Sequence, residues 1–153
     1  MTKNARSLSL LIGLLAACGG SSAEPVALAP GFSAPMILEG RAGGTTDASS
    51  LGDGCIGNIG SDPDHVFELS AAIPNLRFYA HASEDITLVI QRPDNSYICN
   101  DDTEELNPVV TMDSFPPGTY KVWVGSYAAE GSFAAYKLGL STDASAMPSS
   151  LAN

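Results

Sequence analysis

A chain of 153 residues with seventeen acidic against seven basic side chains and 44% hydrophobic residues has the length of one domain and enough apolar material for one core. Its net charge of −10 excludes nucleic acid as a partner, because phosphate contacts require a basic face that so few Lys and Arg residues cannot assemble. A cation, a basic partner or simple solubility suits the acidic balance instead.

At the N-terminus, Lys3 and Arg6 precede an apolar run over 8–15 that is long enough for a signal peptide and too short to cross a bilayer. Leu15-Ala16-Ala17-Cys18 resembles the lipobox of bacterial lipoproteins. The resemblance implies that 1–17 is a signal peptide and that Cys18 becomes the acylated first residue, anchoring the chain to a membrane of the bacterial cell envelope. Ordinary secretory cleavage near Ala17 is the alternative. Several acyl chains make such anchoring stable where one is marginal. Gly19 stands where an Asp often signals inner-membrane retention, which favours the outer membrane in a Gram-negative cell. Residues 18–31 read as a flexible tether. Loss of Lys3 and Arg6 leaves five basic against seventeen acidic residues, about −12. With Cys18 used, Cys55 and Cys99 remain as a pair in an oxidising compartment, where a disulfide is the expectation. Closing a separation of 44 residues stabilises a fold by ~4 kcal/mol in the loop-entropy account.

Further along, Met36 to Leu38 predicts a first strand. Runs at 65–71, 76–82, 86–92, 96–99, 108–112, 120–127 and 135–141 are short, rich in β-branched or aromatic residues, and bounded by Pro, Gly, Asn or Asp. Apolar residues recur at period two: Phe67 and Leu69; Leu76, Phe78 and Ala80; Ile86, Leu88 and Ile90; Tyr120, Val122 and Val124; Tyr136, Leu138 and Leu140. The pattern predicts an all-β fold, an antiparallel, jelly-roll-like β-sandwich of seven to eight strands, with a closed β-barrel as the alternative. The domain is expected over 32–142, followed by a disordered tail over 143–153.

The run Asp62 to Leu69, the hairpin Leu88-Val89-Ile90 into Pro93-Asp94-Asn95, the loop Asn100-Asp101-Asp102 and the closing runs Pro117 to Val124 and Tyr136-Lys137-Leu138 resemble the bacterial pre-peptidase C-terminal domain. The likeness covers about 32–142, and the Cys in the acidic loop resembles a stand-alone exported form sometimes labelled a peptidase by association. It implies a non-catalytic β-sandwich of the kind appended to secreted peptidases, some of which bind calcium or matrix polymers. Asn95 replaces the usual hairpin Gly, a tolerable change because Asn accepts positive φ. The expected peptidase domain is not attached to this sequence.

Three sites follow. Asp94, Asn100, Asp101, Asp102, Glu104 and Asn107, with Asp62 and Asp64 from the earlier loop, supply enough oxygens for a Ca2+ ion. Their alternative role is to cap turns. A glycosidase pair requires an apolar wall to raise one carboxyl, which an exposed loop lacks, and a serine peptidase would show GxSxG or GDSGG, both missing. Trp123 and Tyr127 alternate with the inward residues and leave a gap at Gly125, a surface that could stack on a polysaccharide or pack an exported protein. Alternatively, the segment around Phe32 or the loop with Phe133 covers Trp123. Together these features predict a non-catalytic, lipid-anchored envelope module for binding or structure, calcium-stabilised if the acidic loop closes on an ion. The alternative is an accessory domain within a secreted peptidase system.

Overall fold

In the computed structural model, which describes residues 23–128 and 133–152, the period-two runs pair into two facing layers. The expected signal peptide, 1–17, and Cys18 lie outside the described residues. The first layer runs β1 (Pro25–Leu28), β5 (His65–Leu69), β12 (Gly118–Ser126), β8 (Ile86–Gln91), β9 (Tyr97–Asn100). Two short strands, β3 (Thr46–Asp47) and β4 (Asn58–Ile59), extend it where β12 outruns β5. The second layer runs β10 (Val109–Thr111), β7 (Arg77–Ala82), β13 (Ala135–Ser141), β2 (Met36–Arg41), and a ribbon of β6 (Ile73–Pro74) with β11 (Ser114–Phe115) sits beside them. The sheets stay open, so the fold is a β-sandwich and the barrel alternative falls.

Alternation explains the pairing of the layers. Phe67, Leu69, Tyr120, Val122, Val124, Ile86, Leu88 and Ile90 face inward from the first, and Phe78, Ala80, Leu138 and Leu140 meet them from the second, all at most 2% exposed. A one-residue slip in any of these strands would turn its apolar set to water, which is why the register is held. Phe67, Phe78, Phe115 and Tyr120 form a chain of rings across the sandwich, with successive centroids 5.5, 5.3 and 5.5 Å apart. Tilted and edge-on contacts of this kind add about 0.5–1.5 kcal/mol each beyond area burial.

Two additional clusters lie outside the sandwich proper. On the outer face of the first layer, Trp123 and Val89 are covered by Ala48, Leu51, Cys55 and Ile59 from the segment around the short 3-10 turn Ala48–Ser50. A disulfide between Cys55 and Cys99 pins that segment to β9. Trp123 is therefore only 7% exposed, and the covering comes from the disulfide segment, neither from Phe32 nor from Phe133. Gly125 is not a gap between rings: a Cβ there would lie within 2.9 Å of Thr87 Oγ1 and the Asn58 carbonyl oxygen.

The expected boundaries move outward at both ends. Residues 25–28 of the anticipated tether form β1, which pairs in parallel with β5 because Leu28, 1% exposed, fills the core. The tail over 143–153 contains a 3-10 turn, Pro148–Leu151, whose Leu151 packs on Tyr79 and Val109 at 3% exposure. An outward-facing Tyr79 would leave a large apolar surface wet, and the tail removes it from water.

The covered indole is the only Trp, so fluorescence reports on the disulfide segment. Reduction, or Cys55→Ser with Cys99→Ser, is expected to red-shift Trp123 emission and to lower stability by ~4 kcal/mol in chemical denaturation. An unshifted spectrum in the reduced, still-folded protein would show that the segment stays in place without its bridge.

Candidate functional site

The eight oxygen-bearing residues expected to gather round calcium do not converge. Register places Gln91 opposite Tyr97 and Leu88 opposite Asn100, so Asp94 lies beyond one end of the β8–β9 hairpin and 101–107 beyond the other. Asp62 and Asp64 precede β5, which β12 and β8 separate from β9, roughly 14 Å at ordinary strand spacing. The disulfide ties Cys55 to Cys99 without bringing these acids together.

Most of the oxygens already have partners within the fold. Asn100 Oδ1 accepts from Thr103 Oγ1 at 2.7 Å and from the Val109 N–H at 2.9 Å. Asn107, 7% exposed, accepts the Ala82 N–H on Oδ1 at 2.9 Å. Glu104 takes the Ser149 N–H at 2.7 Å and the Ser149 hydroxyl at 2.9 Å. Asp94 Oδ1 accepts from the Ser96 N–H at 3.0 Å and from its hydroxyl, and these bonds hold its carboxyl below the usual range. These residues cap turns, as Asp and Asn do in most loops. Among the described residues no group of three or more His, Cys, Asp or Glu is placed to hold a metal ion, and the donor set does not fit a Ca2+ shell.

What the acidic loop does build is a rim at one end of the sandwich. The Ile86 N–H donates to Leu106 O at 3.3 Å and the Tyr127 N–H to Asp85 O at 3.1 Å, so the turn before β8, the acidic loop and the end of β12 meet there. Burial and the charges of Asp102 and Asp101 push the Asp85 carboxyl up. Leu106 and Tyr127 are 48% and 57% exposed on this rim, and Phe133, just before β13, is 50% exposed at the same end. Of the two aromatic residues expected to bind a ligand, Trp123 is buried and Tyr127 is available. Leu106 carries no sequence signal, since a single apolar residue in a loop has no period, and Phe133, expected as a possible cover for Trp123, is exposed instead.

At the same end, below the surface, His65 Nε2 and Tyr136 Oη are 2.8 Å apart, and Asp64 Oδ2 accepts the Val124 N–H at 2.8 Å. Burial pushes the Asp64 carboxyl up to about 6, with the Val124 N–H pulling the other way. Burial also lowers the His65 pKa and, with the Asp64 charge, raises that of Tyr136. His65 belongs to the inward register of Phe67 and Leu69, so its placement near the core follows from alternation. The meeting with Tyr136, 71 residues away, does not.

No protein-family model and no curated protein matches the chain. Among solved structures, the pre-peptidase C-terminal domain of a collagenase from Bacillus anthracis is similar at 15% identity, over 80% of this chain and 100% of that one, with a TM-score of 0.47.

The raised Asp64 pKa gives a signed pH dependence. Folded protein holds this proton between the ordinary 3.8 and about 6 while the unfolded chain has released it, so the contribution is full below 3.8 and is lost as pH rises through about 6. Asp64→Asn keeps an acceptor for Val124 and carries no charge. The variant is expected to match the wild type near pH 4 and to exceed it at pH 8, by roughly 2–3 kcal/mol. Denaturation at both pH values checks this, and a gap independent of pH would contradict it.

Proposed function

We propose that this chain is a non-catalytic β-sandwich module of the bacterial cell envelope that holds an exported protein through its loop end. One observation carries the reading: of the four large hydrophobic side chains exposed among the described residues, three, Leu106, Tyr127 and Phe133, stand at a single end of the fold, beside the Asp85, Asp101 and Asp102 carboxylates, and the fourth, Ile37, lies on β2. Apolar anchors ringed by charge are what protein contacts are made of. The partner face that complements this rim is basic at its edge and apolar at its centre. Binding there requires no nucleophile or base, and among the described residues the rim combines no such pair.

Anchoring through Cys18 belongs to the same reading. A lipid on that residue, followed by the Gly and Ser residues 19–22, would present the sandwich at the membrane surface.

Two experiments test it. A photo-crosslinking phenylalanine analogue at Tyr127 is expected to yield a discrete protein adduct in cells, weakened by Asp101→Lys with Asp102→Lys and missing when the probe replaces exposed Thr111 on β10. Identical adducts from both positions would refute a specific loop-end contact. Separately, Cys18→Ser is expected to move the protein from the membrane fraction to the soluble one, and an unchanged distribution would refute lipid anchoring.

A further inference from the structure

Among the described residues no strand lies on the free side of β2, and at six residues this is the longest open edge of the fold. The Ala42 N–H donates to Ala134 O at 2.8 Å, in the register that sets Arg41 opposite Ala135. Bonded pairs alternate along an antiparallel ladder, so Leu38 and Gly40 also bond to β13. The backbone N–H and C=O groups of Ile37, Glu39 and Arg41 point to the free side instead.

Edges are ordinarily blunted by shortness, proline or bulges. β1 has four residues and opens on Pro25, β10 has three after Pro108, and β9 has four. β2 keeps an unbroken register with β13 and contains no proline. β1 and β2 are the edges of the two layers on one flank, as β9 and β10 are on the other. On the β1–β2 flank Val26, Phe32, Met36 and Leu38 pack on the main core but are only partly buried.

What fits the edge is decided by its outer face, where Ile37, Glu39 and Arg41 are exposed. Glu39 forms no hydrogen bond or ion pair among the described residues, and Arg41 donates through Nη2 to Phe133 O at 3.3 Å. Antiparallel pairing with β2 of a second copy, about a two-fold axis through Gly40, sets Glu39 opposite Arg41 twice. Both residues have free backbone groups to exchange in that register. An axis through Glu39 would oppose two carboxylates, and one through Leu38 would set Glu39 against Ile37.

Gly40 suits the axis. Residues of a non-bonded pair approach to ~4.5 Å between Cα atoms, and Gly40 brings no side chain to that approach. Its inner face is already filled by Tyr136, since a Cβ there would lie 2.5 Å from Tyr136 Cζ. Leu38 falls opposite Ala42 of the second copy and gains cover, and Ile37 lies diagonal to the stem of the second copy's Arg41.

We propose that β2 is a self-association edge, at which two copies of this chain join antiparallel about Gly40 and merge their second layers into one sheet. The axis of such a pair is normal to the sheet, so both first layers face the same way. Both copies then begin β1 on one side, as two chains anchored to one membrane require. The flank touches the loop end only where Arg41 meets Phe133, and the pairing does not rest on the loop-end contact.

The test is sedimentation velocity of the full chain carrying Cys18→Ser, with amide hydrogen exchange on the same samples. A dimer is expected to fill as concentration rises, and exchange at the Glu39 and Arg41 amides, which point to the open edge in a single copy, is expected to slow with it. Glu39→Arg and Arg41→Glu each turn two attractions into repulsions, and each is expected to weaken the dimer about tenfold or more, while the two together restore it. Four results would overturn the proposal: a monomer at every concentration, a dimer that leaves exchange at Glu39 and Arg41 unchanged, single reversals that associate as tightly as the wild type, or a double reversal no tighter than the single ones. The exchange measurement needs no variant, so it decides the case even where a reversal perturbs the fold.

Discussion

From Val122 to Ser126 strand β12 is dry on both faces, and much of the molecule is arranged to keep it so. Tyr120, Val122 and Val124 face the second layer, while Trp123 and Gly125 face outward under the segment pinned by Cys55 and Cys99. A two-layer sandwich buries one face of each sheet, so a large outward aromatic ring needs a third layer locally. The segment around 48–59 packs on Trp123 through Ala48, Leu51, Cys55 and Ile59, and the covalent bridge adds to that burial by restricting the unfolded chain. Around this centre β5 and β8 lie on either side of β12, and the loops at their ends are delivered to fixed positions.

The same logic operates on the second layer with weaker means. Tyr79 faces outward, and the C-terminal turn lies over it through Leu151, with Arg77 bonded to Ala146 O and Ser149 bonded to Glu104. The acidic loop is thereby held from two sides, by β9 through Asn100 and by the tail through Glu104. Residues that look in sequence like a cation cage act mainly as hydrogen-bond acceptors that fix loop geometry. Their excess charge is left to Asp85, Asp101 and Asp102 on the rim, where the exposed apolar residues also stand.

The two ends of the sandwich have become chemically distinct. One combines carboxylates with Leu106, Tyr127 and Phe133. The other carries Arg92 beside Asp94, Glu68 bonded to the Thr119 hydroxyl, and the exposed Lys121. In a chain of net charge −10, such a division is produced by strand direction, which sends alternate loops to opposite ends. A buried His65–Tyr136 contact and a protonatable Asp64 lie beneath the acidic end, where they make stability respond to pH.

Local physics was legible in the sequence wherever period two and turn chemistry spoke alone. The all-β class, the inward set from Phe67 to Leu140, the hairpin turn at Asn95 and the Cys55–Cys99 pairing all follow from alternation, backbone preference and cysteine arithmetic. Pairings between distant segments were decided by tertiary structure. Leu28 makes a strand of the supposed tether, Leu151 makes a packed turn of the supposed tail, and the disulfide segment buries Trp123. Alternation can say that a side chain points outward, but not whether another part of the chain lies over it. Whether an Asp ligates, caps or repels likewise depends on which backbone N–H groups arrive beside it, and those come from residues many positions away.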